Sequence, residues 1–378
     1  MDIKAEYLIK SEDFVKLLKT LLKEKLVNKI ISAQVKVDKK TNAIDRFTLT
    51  PITIEKADDI IDFPLSNFIA YGYARTDSTA KYLHQSVGGA KDSKVGIIAR
   101  PCDTRALIEL AKLHQVKLEN IFIIGIEDRG VALNVSRDLK KDKSVDPTKV
   151  IKEKIEDDGL NFKLQDGTTK VVNIEISENC LRCSRKAPVI ADIIVSDIGI
   201  AIDSDEIILK VVSDKGNSLI EKSKIDKKPL PNDIKVANNE KMVEILKKAK
   251  EKRAKDLEQW AKLSEEEKRV ELQKCTMCGL CIKGCPVCYC VDCILAKKRK
   301  DKNINKETYQ LTRIAHVADR CVECGNCYNN CPSNLPLSIY FMSLNEAFKE
   351  KYNYCPGESV SDIPFRSAKG IAKSGSKA

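Results

Sequence analysis

A cysteine pattern that occurs twice near the C-terminal end constrains this chain more than any other feature. The pattern Cys-x2-Cys-x2-Cys-x3-Cys-Pro is found at 275–286 and again at 321–332. Three cysteines at this spacing let one loop wrap three corners of a cubane, while the fourth, before its proline, reaches the other cubane. The sequence therefore predicts two 4Fe–4S clusters, one held by Cys275, Cys278, Cys281 and Cys331 and the other by Cys321, Cys324, Cys327 and Cys285. Zinc held by Cys-x2-Cys pairs would not require three successive cysteines.

Composition supports iron–sulfur ligation by cysteine. The 378 residues include 15 cysteines and only 3 histidines, which stand apart from each other. We find no leader-like apolar segment after Met1 and no apolar run near the roughly 20 residues that span a bilayer, so we expect a cytoplasmic protein without a membrane span. Cytoplasmic thiols stay reduced, and a dense cluster of them indicates metal ligands rather than disulfides.

The formal net charge of +11 has two interpretations. A basic chain can bind nucleic acid, but basic patches interleaved with aromatic residues are lacking here. Each cubane held by four thiolates also carries about −2, which cancels part of the excess. We therefore expect no nucleic acid, and we assign the charge to an acidic partner or an anionic coenzyme.

The upstream part of the chain predicts an α/β fold with a mixed or parallel sheet and flanking helices. An apolar strand at 95–99, a turn at 100–103, a helix at 104–113 and a strand at 121–126 form a βαβ unit. Ligands bind such sheets beyond the carboxyl ends of the strands. Further expectations are a helix from Ser11, strands at 30–37, 171–176, 190–195 and 207–212, a helix capped by Asn238 or Asn239, and another capped by Ser264.

These patterns divide the chain into four parts. We expect an α/β domain of flavin or coenzyme type with an iron–sulfur site at 1–225 and a charged helical connector at 226–272. The two-cluster ferredoxin module follows at 273–340, and a C-terminal extension occupies 341–378. The last residues are rich in Gly, Ser, Ala and Lys, and we expect them to be disordered.

Two groups of cysteines lie outside the doubled motif. Cys180 and Cys183 form half a metal site, which Cys102 and Asp128 could complete, although a carboxylate is a weaker ligand than thiolate for cluster iron. The alternatives are that Cys180 and Cys183 take ligands from the run Cys288–Cys293, or that they hold no cluster. The second group follows Cys285 directly and consists of Cys288, Cys290 and Cys293. These three are ligands of a further cluster, ligands shared with the first group, or buried thiols.

The turn after the strand at 95–99 is the candidate anion site. Arg100, Asp103, Thr104 and Arg105 surround Cys102 there. Helix N-terminal amides and two guanidinium groups would hold a coenzyme phosphate or carboxylate. The alternative is that Asp103 or Thr104 only caps the helix. No G-x-G-x-x-G follows a strand, no residue is singled out as catalytic, and no molybdenum or nickel ligand set is found.

Three stretches resemble the coenzyme F420 hydrogenase/dehydrogenase beta-subunit family, and within it the beta subunits of archaeal formate dehydrogenases. The first is 99–107, and the second is 178–183 with Pro188, 191–193 and 197–199. The third is the two-cluster module, with 285–290, 331–337 and 354–357. The resemblance extends from about residue 95 to residue 364.

The resemblance implies an oxidoreductase subunit of a hetero-oligomeric complex in an anaerobe. Electrons would pass between a catalytic alpha subunit, the clusters, FAD and coenzyme F420, and the chain would not act on formate or hydrogen alone. The family usually carries a Gly-Gly-rich, flavin-associated stretch where this chain has residues 11–22, and often a cysteine where Asp128 stands. The second hypothesis is therefore a flavin-free electron-wiring subunit of a heterodisulfide-reductase-type or hydrogenase-type complex.

Overall fold

The structure is a computed structural model that describes residues 1–37, 44–61, 65–73, 78–299, 301 and 303–366. The terminal segment 367–378, where we expect disorder, lies outside the described residues. The strands are β1 (Ala5–Lys10), β2 (Lys29–Val37), β3 (Ile44–Ile54), β4 (Val95–Ala99), β5 (Ile121–Ile126), β6 (Val150–Glu156), β7 (Gly159–Leu164), β8 (Thr169–Val172), β9 (Ile193–Ser196), β10 (Glu206–Val211) and β11 (Lys228–Pro229). The helices are α1 (Ser11–Lys23), α2 (Leu65–Ala70), α3 (Thr79–Ser86), α4 (Pro101–Lys112), α5 (Val135–Asp142), α6 (Glu178–Leu181), α7 (Asp214–Ser223), α8 (Asn232–Lys262), α9 (Glu265–Gln273), α10 (Leu280–Lys283), α11 (Ile294–Lys298), α12 (Lys306–Val317), α13 (Asn326–Asn329) and α14 (Leu337–Tyr352).

The main sheet is mixed, as the sequence predicts. Its eight described strands run in the order β11-β1-β10-β9-β5-β4-β2-β3. The central strands β2, β4, β5 and β9 are parallel, and each outer strand pairs antiparallel with its neighbours. Every residue of β4 and β5 is buried, which is typical of parallel strands covered on both faces. Cys102 follows β4 and Asp128 follows β5, so both lie at the carboxyl edge of this sheet.

A second, antiparallel sheet consists of β6, β7 and β8. We predict a strand at 171–176, but the observed strand is β8, which ends at Val172. Beyond it, Ile176 makes only an isolated bridge to Ala132. The apolar run therefore divides between the small sheet and the segment that leads to the Cys180 loop.

Two helices begin earlier than the sequence predicts. Helix α4 begins at Pro101 rather than Thr104, because proline fits the first turn of a helix and Asp103 closes a capping box with the backbone N–H of Arg100. Helix α8 begins at Asn232, and Asn238 is a buried residue within it rather than its cap. The predicted capping box at Ser264 is confirmed at the start of α9.

The ferredoxin module shares a hydrophobic core with the α/β part. Leu107 and Leu110 of α4 belong to one buried cluster with Val322, Leu337 and Phe341. The opposite face of the main sheet has its own core, built on α1, β5 and β9. Helix α14 extends across the boundary that we predict at residue 340. Among the described residues, no helix has both the length and the apolar composition of a membrane span.

Candidate iron–sulfur centre

The first ferredoxin group is assembled by the loop before α10 and by the segment after α13. Burial raises the pKa of the Cys281 thiol, and the neighbouring thiolates of Cys275, Cys278 and Cys331 raise it further. The amide of Gln310 donates a hydrogen bond to the Cys275 sulfur at 2.9 Å. These four cysteines are the ones that the spacing assigns to one cluster.

The second group is more deeply buried. Cys285, Cys321, Cys324 and Cys327 line one small cavity together. Burial raises the pKa of Cys321 and Cys327 well above the usual thiol range, and the pKa of Cys324 to about 12. A hydrogen bond from Cys288 and the charge of Arg313 hold the pKa of Cys285 well below that range.

Both groups fit a 4Fe–4S cluster. In each, four cysteines from two separate loops converge, and those of the second group line a common small cavity. Ligation by iron would replace protons that burial makes hard to remove. No three of the described Cys, His, Asp or Glu side chains converge in the way that a single metal ion requires. The assignment of individual ligands stays a prediction.

The cysteines of the α/β part form a third group at the carboxyl edge of the main sheet. Cys102 lies near Asp128 and Cys324, and burial raises its pKa well above the usual thiol range. Cys180 lies near Asp128 and Cys183. The guanidinium of Arg105 contacts the Cys183 sulfur at 3.9 Å and faces Cys102. The structure thus brings together the predicted set of Cys102, Asp128, Cys180 and Cys183, whose role as ligands stays a prediction.

The third group packs directly against the second. Arg105 donates to the carbonyl oxygen of Val322 from Nε at 3.3 Å and from Nη2 at 3.2 Å. Asn179 donates to the carbonyl oxygen of Glu323 at 3.0 Å. A Cβ on Gly325 would lie 2.5 Å from the Asn179 Cβ, so this approach requires glycine. Sequence spacing gives no signal for this junction, because its halves lie more than 140 residues apart.

The predicted anion-binding residues are engaged within the protein. Arg100 is buried and donates from Nη2 to the carbonyl oxygens of Phe68 and Tyr71. Asp103 accepts hydrogen bonds from the Arg100 backbone and from Tyr73, and Thr104 donates to the Pro101 carbonyl. Asp103 therefore caps helix α4, which is the alternative to an anion-binding role. Coenzyme binding by Arg100, Asp103, Thr104 and Arg105 stays a prediction.

Cys288, Cys290 and Cys293 line a different cavity, of about 480 Å³, on the outer side of the ferredoxin module. Cys288 is in hydrogen-bond contact with Cys285, which raises the pKa of Cys288 well above the usual thiol range. Cys290 is exposed and Cys293 is half-buried. Cys180 lines another cavity.

That other cavity, of about 630 Å³, lies between the small sheet, α6 and α8. It borders Cys180, and its size is within the range of pockets for organic ligands. Its described lining contains five carboxylates, and two of its cations, Arg129 and Lys248, pair with Glu156 and Asp157. Two phosphates of a flavin dinucleotide would meet net negative charge, so this lining does not fit them.

Sequence reasoning missed an ion-pair network beside the second group. Glu323, between two predicted ligands, accepts hydrogen bonds from Arg253 of α8 at 2.8 and 3.0 Å. Asn345 donates to it at 2.9 Å, and Arg185 lies 3.5 Å away. Arg185 also donates to the Cys355 sulfur at 3.4 Å. These residues come from distant segments of the chain, so no local pattern indicates the network.

Comparison with known proteins agrees with this architecture. Residues 92–262 match the family described as the C terminus of the coenzyme F420 hydrogenase/dehydrogenase beta subunit, and residues 271–335 match the 4Fe–4S dicluster domain. The match to that beta-subunit family covers a little under half of the chain. The matched segment carries Cys102, Asp128, Cys180 and Cys183, and the dicluster segment carries all eight cysteines of the doubled motif.

Curated relatives and a solved structure extend the comparison. The F420-dependent formate dehydrogenase subunit beta of Methanocaldococcus jannaschii is 29% identical over 74% of this chain and 76% of its own length. The F420-dependent formate dehydrogenase 1 subunit beta of Methanococcus maripaludis is 28% identical over 71% and 74%. A chain of the F420-reducing NiFe hydrogenase complex from Methanosarcina barkeri shares the fold, with a TM-score of 0.50 and 15% identity over 68% of this chain and 92% of that one.

Proposed function

We propose that this chain is the electron-transfer beta subunit of a formate dehydrogenase-type complex. The observation that carries the proposal is the continuity of the three cysteine groups. The Cys102 group contacts the loop of the second group through Arg105 and Asn179, and the second group adjoins the first within one module. Loaded with iron–sulfur clusters, the groups would supply a series of one-electron carriers.

The residues of this chain keep the carriers in fixed positions. Arg105 is 1% exposed and bridges the Cys183 sulfur to the Val322 carbonyl. Burial also lowers the dielectric constant around the thiols. The electrostatic interaction between the thiols and neighbouring charged groups is therefore stronger. The sequence supplies no molybdenum or nickel ligand set, so a catalytic alpha subunit would provide or accept the electrons.

FAD and coenzyme F420 are the proposed other end of the path. The beta subunits of the curated relatives belong to F420-dependent enzymes by name. The cavity beside Cys180 is in the right place, next to the third group, but its carboxylates do not suit a dinucleotide. We propose that electrons leave this group for a flavin or for F420 bound where the complex completes the site.

The test is an anaerobic purification in which iron, acid-labile sulfide and flavin are quantified on one sample. Near one FAD per chain with at least about twelve irons would support a subunit with three clusters and a flavin. Reduction of F420 by the complex with formate, lost on removal of this chain, would support the path. Fewer than about eight irons would contradict even the two ferredoxin clusters.

A second candidate is favoured by the N-terminal segment. Residues 11–22, where the family usually carries glycines, are part of the regular helix α1, whose Phe14, Leu17 and Leu21 are buried in the core. This segment gives no loop for a flavin. A flavin-free wiring subunit of a heterodisulfide-reductase-type or hydrogenase-type complex would give the same irons, no flavin and no F420 reduction.

A further inference from the structure

The cavity lined by Cys288, Cys290 and Cys293 is not explained by the doubled motif, because the three cysteines lie outside that motif. It has a volume of about 480 Å³ and lies between α3, α10, α11 and α12. The three cysteines come from one seven-residue run that begins after Pro286. None of them belongs to the two ferredoxin groups or to the third group.

The charge around this cavity is positive. Its described lining contains five Lys or Arg residues and His316 but no Asp or Glu; the cations are Lys81, Lys283, Arg313, Arg320 and Arg366. Arg320 and Arg366 pair with Asp319 outside the lining. The concentration of cations favours an anionic occupant.

Arg313 places a buried positive charge at the border of this cavity. Its side chain is 1% exposed and donates from Nη2 to the Cys281 carbonyl oxygen at 3.2 Å. Its Nε and Nη1 atoms are buried, and the sulfurs of Cys288 and Cys285 face the guanidinium. Burying a guanidinium is costly unless an anion compensates it, and thiolates or a cluster at these cysteines would do so. Arg313 lines both this cavity and that of the second group.

Three thiols and a buried cation restrict the chemistry of the occupant. A phosphate or carboxylate would use the cations but would have no need of three cysteines. Thiolates are soft ligands that select iron–sulfur clusters, zinc or copper(I). A cluster held by three thiolates is also anionic, so it would use the cysteines as ligands and the cations as counter-charges.

We propose that Cys288, Cys290 and Cys293 hold a further 4Fe–4S cluster in this cavity, leaving its fourth iron without a cysteine ligand. The cluster would lie between the second group and solvent, because Cys288 contacts Cys285 of the second group while Cys290 is exposed. The proposal does not depend on FAD, on F420 or on the catalytic partner.

The first test is a variant with Cys288, Cys290 and Cys293 all replaced by serine, purified anaerobically as the full chain. It should contain about four irons and four sulfides fewer than the wild type. The matched control is Cys355→Ser, which removes a half-buried thiol outside the cavity and should lose none. Unchanged iron and sulfide in the triple variant would overturn the proposal, as would zinc or copper in the wild-type cavity in place of iron.

The second test separates a cluster of its own from support of the second cluster. Cys324→Ala should remove about four irons by itself. Combined with the triple substitution, it should remove about eight if the cavity holds a separate cluster. A combined loss of only about four would show that the three cysteines serve the second cluster, which would contradict the proposal.

A milder variant covers the case in which the triple variant does not fold. Cys290→Ala changes an exposed residue, so the fold should survive, and circular dichroism can verify this. The variant should lose the same four irons, together with the electron paramagnetic resonance signal of one reduced cluster. A folded Cys290→Ala protein with the wild-type spectrum and iron content would overturn the proposal while leaving the proposed function intact.

Discussion

At the scale of single residues, Glu323 connects the second cysteine group to the rest of the molecule. It stands between Cys321 and Cys324 in the loop, at a positive φ of 56°. Burial alone would raise its pKa, but the hydrogen bonds from Arg253 and the charge of Arg185 lower the pKa to about 2. A carboxylate with a depressed pKa stabilises the fold above its unfolded-state pKa of 4.5, and this stabilisation is lost as the pH falls from 4.5 towards 2.

Replacing Glu323 should therefore have a pH-dependent cost. We expect Glu323→Gln to lower the free energy of unfolding by about 2 kcal/mol at pH 7, since hydrogen bonds to charged groups are lost. The difference from wild type should shrink below pH 4.5. Denaturant unfolding followed by the fluorescence of Trp260 measures both. The control is Glu346→Gln, which removes a half-exposed partner of the same arginine and should cost less than about 1 kcal/mol. An equal cost for both variants would contradict this assignment.

Arg313 acts on both ferredoxin groups. It donates a hydrogen bond to the carbonyl oxygen of Cys281 in the first group, and it faces Cys285 and Cys327 of the second group. A fixed positive charge favours the reduced, more negative state of a cluster. Arg313→Gln should shift the reduction potentials of the clusters in the negative direction by on the order of 60 mV, about 1.4 kcal/mol for one electron. Redox titration measures this, and Arg313→Lys should retain most of the wild-type potential. Unchanged potentials in Arg313→Gln with full iron content would refute the role.

At the scale of elements, helix α8 contacts both the main sheet of the α/β part and helix α14. Its 31 residues are rich in charged side chains, which led us to expect a charged helical connector. Near its start, Asn238 donates to the Ile198 carbonyl oxygen at 2.8 Å and accepts from Lys210 at 3.1 Å. Near its end, Trp260 packs edge-on against Tyr340 with ring centroids 5.3 Å apart. Polar contacts near its start and aromatic packing near its end therefore hold a helix whose charged sequence suggests exposure.

Two neighbouring asparagines test this role of α8. Asn238→Ala should lower the free energy of unfolding by about 1–3 kcal/mol, because buried donors and acceptors lose their partner. Asn239→Ala changes the exposed neighbour in the same helix and should be within about 0.5 kcal/mol of wild type. Thermal or denaturant unfolding of both variants decides the point, and equal stabilities would show that the buried contacts do not hold the helix.

At the scale of the whole molecule, the two cores predict separate responses to cluster loss. The core on one face of the main sheet contains no described residue of the ferredoxin module, whereas the other core is shared with it. Cys324→Ala should therefore lose about four irons and interrupt electron flow while the main sheet stays folded. Hydrogen exchange should leave the amides of β5 and β9 protected. Loss of protection there would show that the module and the sheet fold as one unit.

The sequence by itself determined the cluster type and the general fold class. The doubled motif predicts the dicluster domain because local spacing is enough to wrap a cubane, and the buried runs of β4 and β5 predict the parallel centre of the sheet. Local sequence signals gave the wrong helix start where a residue suited to capping makes a contact with a distant part of the chain. Asn238 is suited to a helix cap, but in the fold it bonds Lys210 from inside the helix.

Only the tertiary structure decided how the cysteine groups meet. Cys102 and Asp128 come together because the parallel strands β4 and β5 end at one edge of the sheet, and Cys180 of α6 lies beside Asp128. The junction to the second group depends on Arg105, Asn179 and Gly325. These contacts join residues far apart in the chain, and their formation depends on packing that no local pattern records. For the same physical reason, only the structure shows that Cys288, Cys290 and Cys293 share a cationic cavity with the buried Arg313.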